Sequence, residues 1–391
     1  MDDRLMTPKT YLDNAATSFP KPESVIEKMN ELMIYYGGNP GRGSHSLAIE
    51  AASRVFECRE RLSEFFDADG PEQVCFTLNT TEGLNLVIKG LLRKGDHVLI
   101  SDMEHNAVYR PIYKLWSEGK IEYDLFPSLA NAEERTAGQI CAGIARMMRK
   151  NTRMLICSGA SNICSLTMPL REIGEFCRRN GIIFVVDGAQ CAGHLPISMK
   201  EMKIDALCIP AHKGLLGPQG CGAVILGKGI TPDTLNEGGN GIASLDGAMP
   251  YDMPERYESG TLPTPAIVGL SEGVRIVSEL GLERIARHEN MLFERAEQKL
   301  LQIRGVRAFC PQHSGSVLLF SLDGMGSEEL AARLGREGIC TRGGFHCCAL
   351  GHKTIGTDKT GAVRASFGVY NSSRDVDVLA DAMSRIAGET V

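Results

Sequence analysis

Six short clusters in this chain carry residue types suited to chemistry, and five of them directly follow apolar runs. Asp187 follows Ile182 to Val186 and opens Asp187-Gly188-Ala189-Gln190. Lys213 follows Ala206 to Ile209, within Pro210-Ala211-His212-Lys213-Gly214. Thr80 and Thr81 follow Val74 to Leu78, Glu104-His105-Asn106 follows His97 to Ser101, and Ser161-Asn162 follows Arg153 to Cys157. The sixth cluster, Arg342 to Lys353 (RGGFHCCALGHK), sets two adjacent cysteines behind a glycine pair, with histidines on both sides.

Each cluster has a plain reading beside a chemical one. A carboxylate at a strand end is costly unless it meets a positive charge or hydrogen-bond donors; an Asp that caps the next turn is the plain alternative. A lysine so placed forms a Schiff base if its pKa is lowered, whereas a lone lysine is by default solvated. Hydroxyls and free N–H groups at a helix start make a phosphate site or a simple N-cap. His105 alone reads as a surface or capping residue. Together the clusters match what pyridoxal phosphate requires: a Schiff-base lysine, an acid for the pyridinium nitrogen and a phosphate cradle. A histidine on the ring face would stack and shuttle protons. Cys347-Cys348 remains open between half of a metal site, a redox pair, buried filler and a catalytic thiol. His346-Cys347-Cys348 with His352 lacks the paired spacing of structural zinc sites, and adjacent cysteines bridge only with strain. Gly343 and Gly344 predict a mobile, exposed loop around the pair.

The elements that must position these residues alternate along the chain. A helix is predicted from Ile49 to Phe66, another opening at Thr81, and others from Asn106 to Ser117 and Leu170 to Asn180. Between them lie the strands named above, joined by Gly222 to Leu226. Short continuous apolar strands separated by helices predict a mostly parallel sheet covered on both faces, a doubly wound α/β architecture. In such sheets ligands sit beyond the carboxyl ends of the strands, where the polar clusters fall. After a Gly-, Pro- and Thr-rich stretch from Glu237 to Pro265 the pattern changes. Helices at Ala266–Leu280 and Leu282–Ile303 precede strands at Ser316–Leu322 and Val363–Ser366 and a last helix at Arg374–Ile386. The expected division is a large domain over residues 15–264 and a smaller α+β domain over 265–391 together with 1–14.

At 391 residues the chain has ample core without covalent staples. Its 42 basic and 48 acidic residues give a net charge of −6, which argues against nucleic acid as a partner. No apolar run is long enough to span a membrane, and the first residues show no export or transit signal. A cytoplasmic location is therefore expected. The 13 cysteines, scattered and odd in number, read as reduced. Cys58, Cys75, Cys141, Cys157, Cys177 and Cys208 in particular sit in apolar patterns and read as core-filling residues.

The chain resembles the fold type I, class V aminotransferase-like family, and within it the group II cysteine desulfurases and selenocysteine lyases. The motifs that carry the resemblance are Tyr11 to Ala16 (YLDNAA), Arg42 to His45 (RGSH), Thr80 to Asn85 (TTEGLN) and Glu104-His105-Asn106. They continue in order with Ser161-Asn162, Val186 to Gln190 (VDGAQ), His212-Lys213, Glu258 to Thr261 (ESGT), Arg342 to Cys347 and Arg364 to Ser366 (RAS). The resemblance implies Lys213 as the Schiff-base lysine, Asp187 as partner of the ring nitrogen, Gln190 at the phenolic oxygen and His105 stacked on the ring. It implies Thr80, Thr81 and His212 at the phosphate, with Thr261 reaching in from the other subunit of a homodimer. Asn162 and Arg364 would take the substrate carboxylate, with Asn14, Ala16, His45 and Arg342 also at the substrate, and Cys347 would accept sulfur. Three departures stand out. Pro210-Ala211 replaces a hydroxyl-bearing pair before His212, Ser165 stands where glycine is usual, and Cys348 stands where alanine is usual.

The activity so implied is release of alanine from L-cysteine, leaving a persulfide on Cys347, with Arg342 and His346 favouring its thiolate. Protein acceptors would take the sulfur or selenium onward. A selenocysteine lyase using the same residues is the alternative. Behind it stand β-elimination or transamination on another amino acid, and last a metal or sulfur carrier built on His346, Cys347, Cys348 and His352. No resident metal is expected.

Overall fold

The structure, a computed structural model, describes residues 10–389 apart from 42, 311, 313 and 314. The reading of the first nine residues, Arg42 of the RGSH motif and the last two residues of the expected small domain lie outside the described residues.

The chain opens with β1 (Thr10–Tyr11), α1 (Glu23–Tyr35) and α2 (Ser46–Phe65). The large sheet follows: β2 (Val74–Thr77), α3 (Thr80–Leu91), β3 (Asp96–Ser101), α4 (Asn106–Ser117), β4 (Ile121–Phe126), α5 (Ala137–Met147), β5 (Thr152–Ser158), α6 (Leu170–Asn180), β6 (Ile183–Asp187), β7 (Ala206–Pro210) and β8 (Gly222–Leu226). Its spatial order is β2-β8-β7-β6-β5-β3-β4. β8 runs antiparallel to both neighbours, and the other pairs are parallel. Every residue of β6, β7 and β8 is buried, which is why these strands read as continuous apolar runs. Alternate side chains feed two cores, Leu99, Leu155, Phe184 and Leu207 on one face and Val98, Ile100, Ile156 and Val185 on the other. The chain order reverses between β3 and β5, and that switch point opens the crevice in which the site lies.

Four antiparallel strands form a second sheet, β9 (Val306–Phe309), β10 (Val317–Leu322), β12 (Arg342–Gly344) and β13 (Ala362–Ser366), in the order β12-β13-β10-β9. β1 pairs in parallel with β11 (Ile339–Cys340), so the start of the described chain is tied to this half of the molecule. Helices α8 (Leu282–Leu301), α9 (Ser327–Arg336), α10 (Ala349–Ile355) and α11 (Ser373–Gly388) accompany it. This half has a core of its own that includes Phe293, Phe320, Val363, Leu379 and Met383. α7 (Thr264–Leu280), which starts where the expected boundary falls, packs on α1 and α2.

The ESGT motif is anchored by a buried ion pair. Arg59 on α2 meets Glu258 through two bonds of 2.8 and 2.6 Å, and Glu258 also accepts from the Phe76 backbone N–H at 2.6 Å. Such a pair is costly to desolvate, and the extra donor offsets part of that cost.

The large-sheet elements of the site are the ones the apolar runs predicted, with ends moved by one to three residues; β1, β4, β9, β11, β12, α1, α5, α9 and α10 were not predicted. In β4 only the two end residues are buried, so its sequence lacks a continuous apolar signature.

Candidate active site

Polar residues from both sheets line one cavity of about 400 Å³. On the large-sheet side the strand ends present Asp187, Lys213, His105 and Asn162. Asp187 is the last residue of β6, is buried, and accepts a hydrogen bond from the Ala189 N–H at 2.9 Å. Burial pushes its carboxyl upward, while that bond and the nearby Lys213 amine pull it down. Burial pushes the Lys213 amine down to about 8, against the attraction of Asp187. An amine so shifted is partly neutral near physiological pH and can act as a nucleophile or base.

The lysine loop is held by close backbone approach. Gly193 adopts φ +85, and a Cβ there would lie 2.3 Å from the Gly214 carbonyl carbon. On the opposite side the His212 carbonyl accepts from the Ser18 N–H at 2.9 Å and from Lys21 Nζ at 2.8 Å.

His105 is the N-cap of α4, and its Nδ1 accepts from the Ala107 N–H at 3.0 Å. Burial, then the Lys213 charge, push it down to about 4, so the ring is neutral with its proton on Nε2. Thr80 and Thr81 open α3, whose N-cap Asn79 accepts from the Glu82 N–H at 3.0 Å. Helix starts of this kind favour an anion.

The small-sheet side supplies the cations and the thiol. Arg364 on β13 is buried; it donates to the Asn162 carbonyl at 2.8 Å and to Asp13 at 3.0 Å. Arg342 on β12 is half exposed and grips the same Asp13, at 2.7 Å from Nη2. Asn162 Nδ2 donates to the His346 carbonyl at 2.8 Å, tying the large-sheet loop to the cysteine turn. Cys347 is exposed and lines the cavity mouth.

Of the residues expected from sequence, the structure brings Ala16, Thr80, Thr81, His105, Asn162, Asp187, Gln190, His212, Lys213, Arg342, Arg364 and Cys347 to this cavity. Gln190 donates its amide to the Ala15 carbonyl at 2.9 Å. Asn14, His45 and Thr261 do not line it. Asn14 donates to the Ser366 carbonyl and to Asn371 Oδ1, both at 3.0 Å. His45 caps α2, accepting from the Ala48 N–H at 3.3 Å. Thr261 lies in a separate cavity with Asn240 and Glu258. Asp13, which clasps both arginines, was missed by sequence reasoning although it sits inside the YLDNAA motif.

Two expectations about the cysteine segment are corrected. Gly343 and Gly344 do not make a mobile loop; they lie in β12, paired with Val363 and Ala362. A Cβ on Gly343 would lie 2.4 Å from the Ser327 carbonyl oxygen, so glycine is needed for close packing. His346 is not a cation beside the thiol, because burial, then Arg364, push it down to about 3. Cys348 is fully buried, with Sγ directed at the Met103 and Glu104 carbonyls, 3.5 and 3.6 Å away. Its burial raises the thiol pKa strongly, and it stands apart from the cavity lining. Ser165 spans the two halves, its hydroxyl donating to the Val317 carbonyl at 2.9 Å and accepting from the Val317 N–H at 3.0 Å. Among the described residues no group of three His, Cys, Asp or Glu side chains is placed to hold a metal ion.

Three residues that line this cavity each carry a buried polar atom with no hydrogen-bond partner among the described residues: Thr80 Oγ1, His212 Nδ1 and Arg364 Nε. Orphans of this kind mark where a polar ligand belongs. Thr80 at a helix start and Arg364 on the opposite wall suit a ligand with a phosphate at one end and a carboxylate-bearing partner at the other, as pyridoxal phosphate with an amino acid would be.

The family model for class-V aminotransferases matches residues 10–379. The chain belongs to the class-V aminotransferase family. A protein named as a probable cysteine desulfurase from Methanothermobacter thermautotrophicus is 31% identical over 99% of this chain and 97% of its own. A cysteine desulfurase of Yersinia pestis is 31% identical over 97% of this chain and 93% of its own. Among solved structures, the apo cysteine desulfurase of Thermococcus onnurineus superposes with a TM-score of 0.89 at 29% identity, covering 99% of this chain and 96% of that one. A cysteine desulfurase of Escherichia coli gives 0.85 at 26% identity, covering 98% and 95%. The fold is the α/β fold of this family, and the family implies pyridoxal phosphate as cofactor. No helix among the described residues is long and apolar enough to cross a membrane.

Proposed function

We propose that this protein is a pyridoxal phosphate-dependent cysteine desulfurase that takes sulfur from L-cysteine onto Cys347 and releases alanine. The observation that carries the reading is the meeting of Lys213, Asp187 and the exposed Cys347 thiol in one cavity. When bound, the cofactor would supply an electron sink for negative charge developing at the substrate Cα. Lys213 would anchor it, Asp187 would face its ring nitrogen, and Thr80, Thr81 and His212 would hold its phosphate. His105 would lie on the ring face and Gln190 at the phenolic oxygen.

The chain's own residues then divide the work. Arg364, with Asn162, binds the substrate carboxylate and fixes its orientation. The Lys213 amine, brought near neutrality by burial, takes the Cα proton and returns one to the alanine product. Cys347 attacks the substrate sulfur, so the substrate C–S bond breaks as an S–S bond forms. Cysteine and the Cys347 thiol thus become alanine and a Cys347 persulfide, with no outside oxidant. Arg342, clasped by Asp13, is the cation on the cysteine's side.

Thr261, exposed and outside the main cavity, supports a homodimer in which it serves the partner's phosphate site. The names of the relatives favour cysteine over selenocysteine. We propose residues 15–264 and 265–391 as the two domains, with the N-terminal residues joined to the second, and a protein acceptor for the sulfur. Purified protein given pyridoxal phosphate should turn yellow, borohydride should fix the cofactor on the Lys213 peptide, and L-cysteine should yield alanine. A colourless protein, or pyruvate in place of alanine, would reject the reading.

A further inference from the structure

Behind Cys347 four groups form a hydrogen-bonded file whose proton positions follow from which atoms can donate. The Arg342 carbonyl lies 3.0 Å from His346 Nε2, and a carbonyl only accepts, so that nitrogen carries a proton. His346 Nδ1 lies 3.1 Å from His352 Nε2, and His352 Nδ1 lies 2.7 Å from Thr357 Oγ1. Both rings are neutral: burial pushes His346 down to about 3 and His352 to about 4. The charged groups facing them are Arg364 and Arg342 at His346, and Asp358 at His352. A neutral His346 protonated on Nε2 has a bare Nδ1, so His352 Nε2–H donates to it. His352 Nδ1 is then bare in turn, and the Thr357 hydroxyl donates to it. The two rings lie edge to edge and nearly coplanar, at 15° with centroids 5.3 Å apart, as the bond between them requires, and Phe345 meets His352 edge-on at 5.5 Å. His352 and Thr357 are both buried, so water does not compete for these bonds.

The file ends on the turn that carries the thiol. His346 and Cys347 are both left-handed, with φ of 50 and 54. Non-glycine residues keep that conformation only where their surroundings over-determine it. The Asn162 side chain and the Asn106 N–H hold the two carbonyls of the turn, at 2.8 and 2.7 Å. The His346 ring holds its third side.

We infer that His352 and Thr357 are positioning residues: they fix His346 as the Nε2–H tautomer against the Arg342 carbonyl and so keep Cys347 in its left-handed turn at the cavity. The mechanism above uses neither residue. Thr357→Val removes the last donor while keeping shape, Thr357→Ser restores it, and His352→Leu cuts the file in the middle. In full-length protein labelled with 15N-histidine, long-range 1H–15N spectra should show His346 and His352 as neutral Nε2–H tautomers. Thr357→Val should replace the His352 signal with a tautomer mixture, and Thr357→Ser should return it. Alkylation of Cys347 by iodoacetamide, followed against pH, should change its profile in Thr357→Val and His352→Leu, and recover in Thr357→Ser. With L-cysteine, kcat should fall about tenfold in Thr357→Val with KM nearly unchanged, because the misplaced group is the thiol and not the carboxylate site. The kinetic arm rests on the function proposed above, whereas the spectral and alkylation arms need neither substrate nor cofactor, so failure of one reading is distinguishable from failure of the other. Wild-type tautomers other than Nε2–H, or a Thr357→Val protein whose His346 and His352 signals and Cys347 alkylation profile match the wild type, would overturn the inference.

Discussion

On the large-sheet wall of the cavity, Asp187 and Lys213 stand at or just past strands in which every residue is buried. On the small-sheet wall, Cys347 stands in a short turn of two successive left-handed residues, next to an exposed arginine. The first wall is placed by apolar packing spread over many residues. The second is placed by a few directed hydrogen bonds, accepted by Asp13 and donated by Asn106, Asn162 and His352. Packing errors are shared among neighbours, whereas the loss of one directed bond moves a single reactive atom. The large-sheet wall should therefore lose chemistry when its functional groups are removed but keep its shape, and the small-sheet wall should lose shape as well.

Lys213→Ala probes the first wall with the largest expected effect. Alanine formation from L-cysteine should fall at least about a thousandfold, or about 4 kcal/mol of barrier. Stability against urea should stay level or rise, because burial already disfavours the charged amine. A fold that collapses in this variant would break the comparison.

Asp13→Ala probes the second wall. Among the described residues, it leaves the buried Arg364 guanidinium with only the Asn162 carbonyl as hydrogen-bond acceptor and the Arg342 side chain with none. Removing one partner of a buried pair should cost about 3 kcal/mol in urea unfolding and raise KM for cysteine more than it lowers kcat. Wild-type stability and KM would show that the clasp positions nothing.

These walls were unequally legible in the sequence. Continuous runs such as Ile182 to Val186 and Ala206 to Ile209 disclosed buried parallel strands, and with them the placement of Asp187 and Lys213. The Asp13 clasp was hidden because its partners come from β12 and β13, and Arg364 is 351 positions along the chain. The glycine pair at 343–344 was misread as flexibility because a close approach to the Ser327 carbonyl leaves no trace in local sequence. The His346–His352–Thr357 file was hidden for a similar reason. Its spacing looked like an unconvincing metal pattern, and only the ring geometry shows the nitrogens spent on each other and on a hydroxyl.

A smaller effect sharpens the comparison through pH. His105, His212 and His352 are pushed down to about 4 and His346 to about 3, in each case chiefly by burial, from an ordinary 6.5. Each is neutral in the folded protein but takes up a proton on unfolding below pH 6.5. The unfolded chain then binds more protons, and stability is lost as pH falls from 6.5 toward 4. Carboxyls raised by burial, such as Asp187 and Glu104, and His194, raised by Glu289, oppose this, while those lowered by ion pairs, such as Asp377, change protonation only below this range. Comparison of the wild type with His352→Leu isolates one histidine from these opposing groups. Wild-type stability in urea should fall more, or rise less, from pH 7 to pH 5 than that of His352→Leu, by at most about 1.4 kcal/mol per pH unit. The same change with pH in both proteins would contradict the assignment of a neutral His352 ring.

The most direct test of the account follows the sulfur. After a limited exposure of the cofactor-loaded protein to L-cysteine, mass spectrometry of the peptide containing Cys347 should show one added sulfur atom per alanine released in the first turnover. Cys347→Ala should form neither the modified peptide nor alanine. Full alanine formation by Cys347→Ala, or sulfur appearing on Cys348 while Cys347 stays a free thiol, would contradict it.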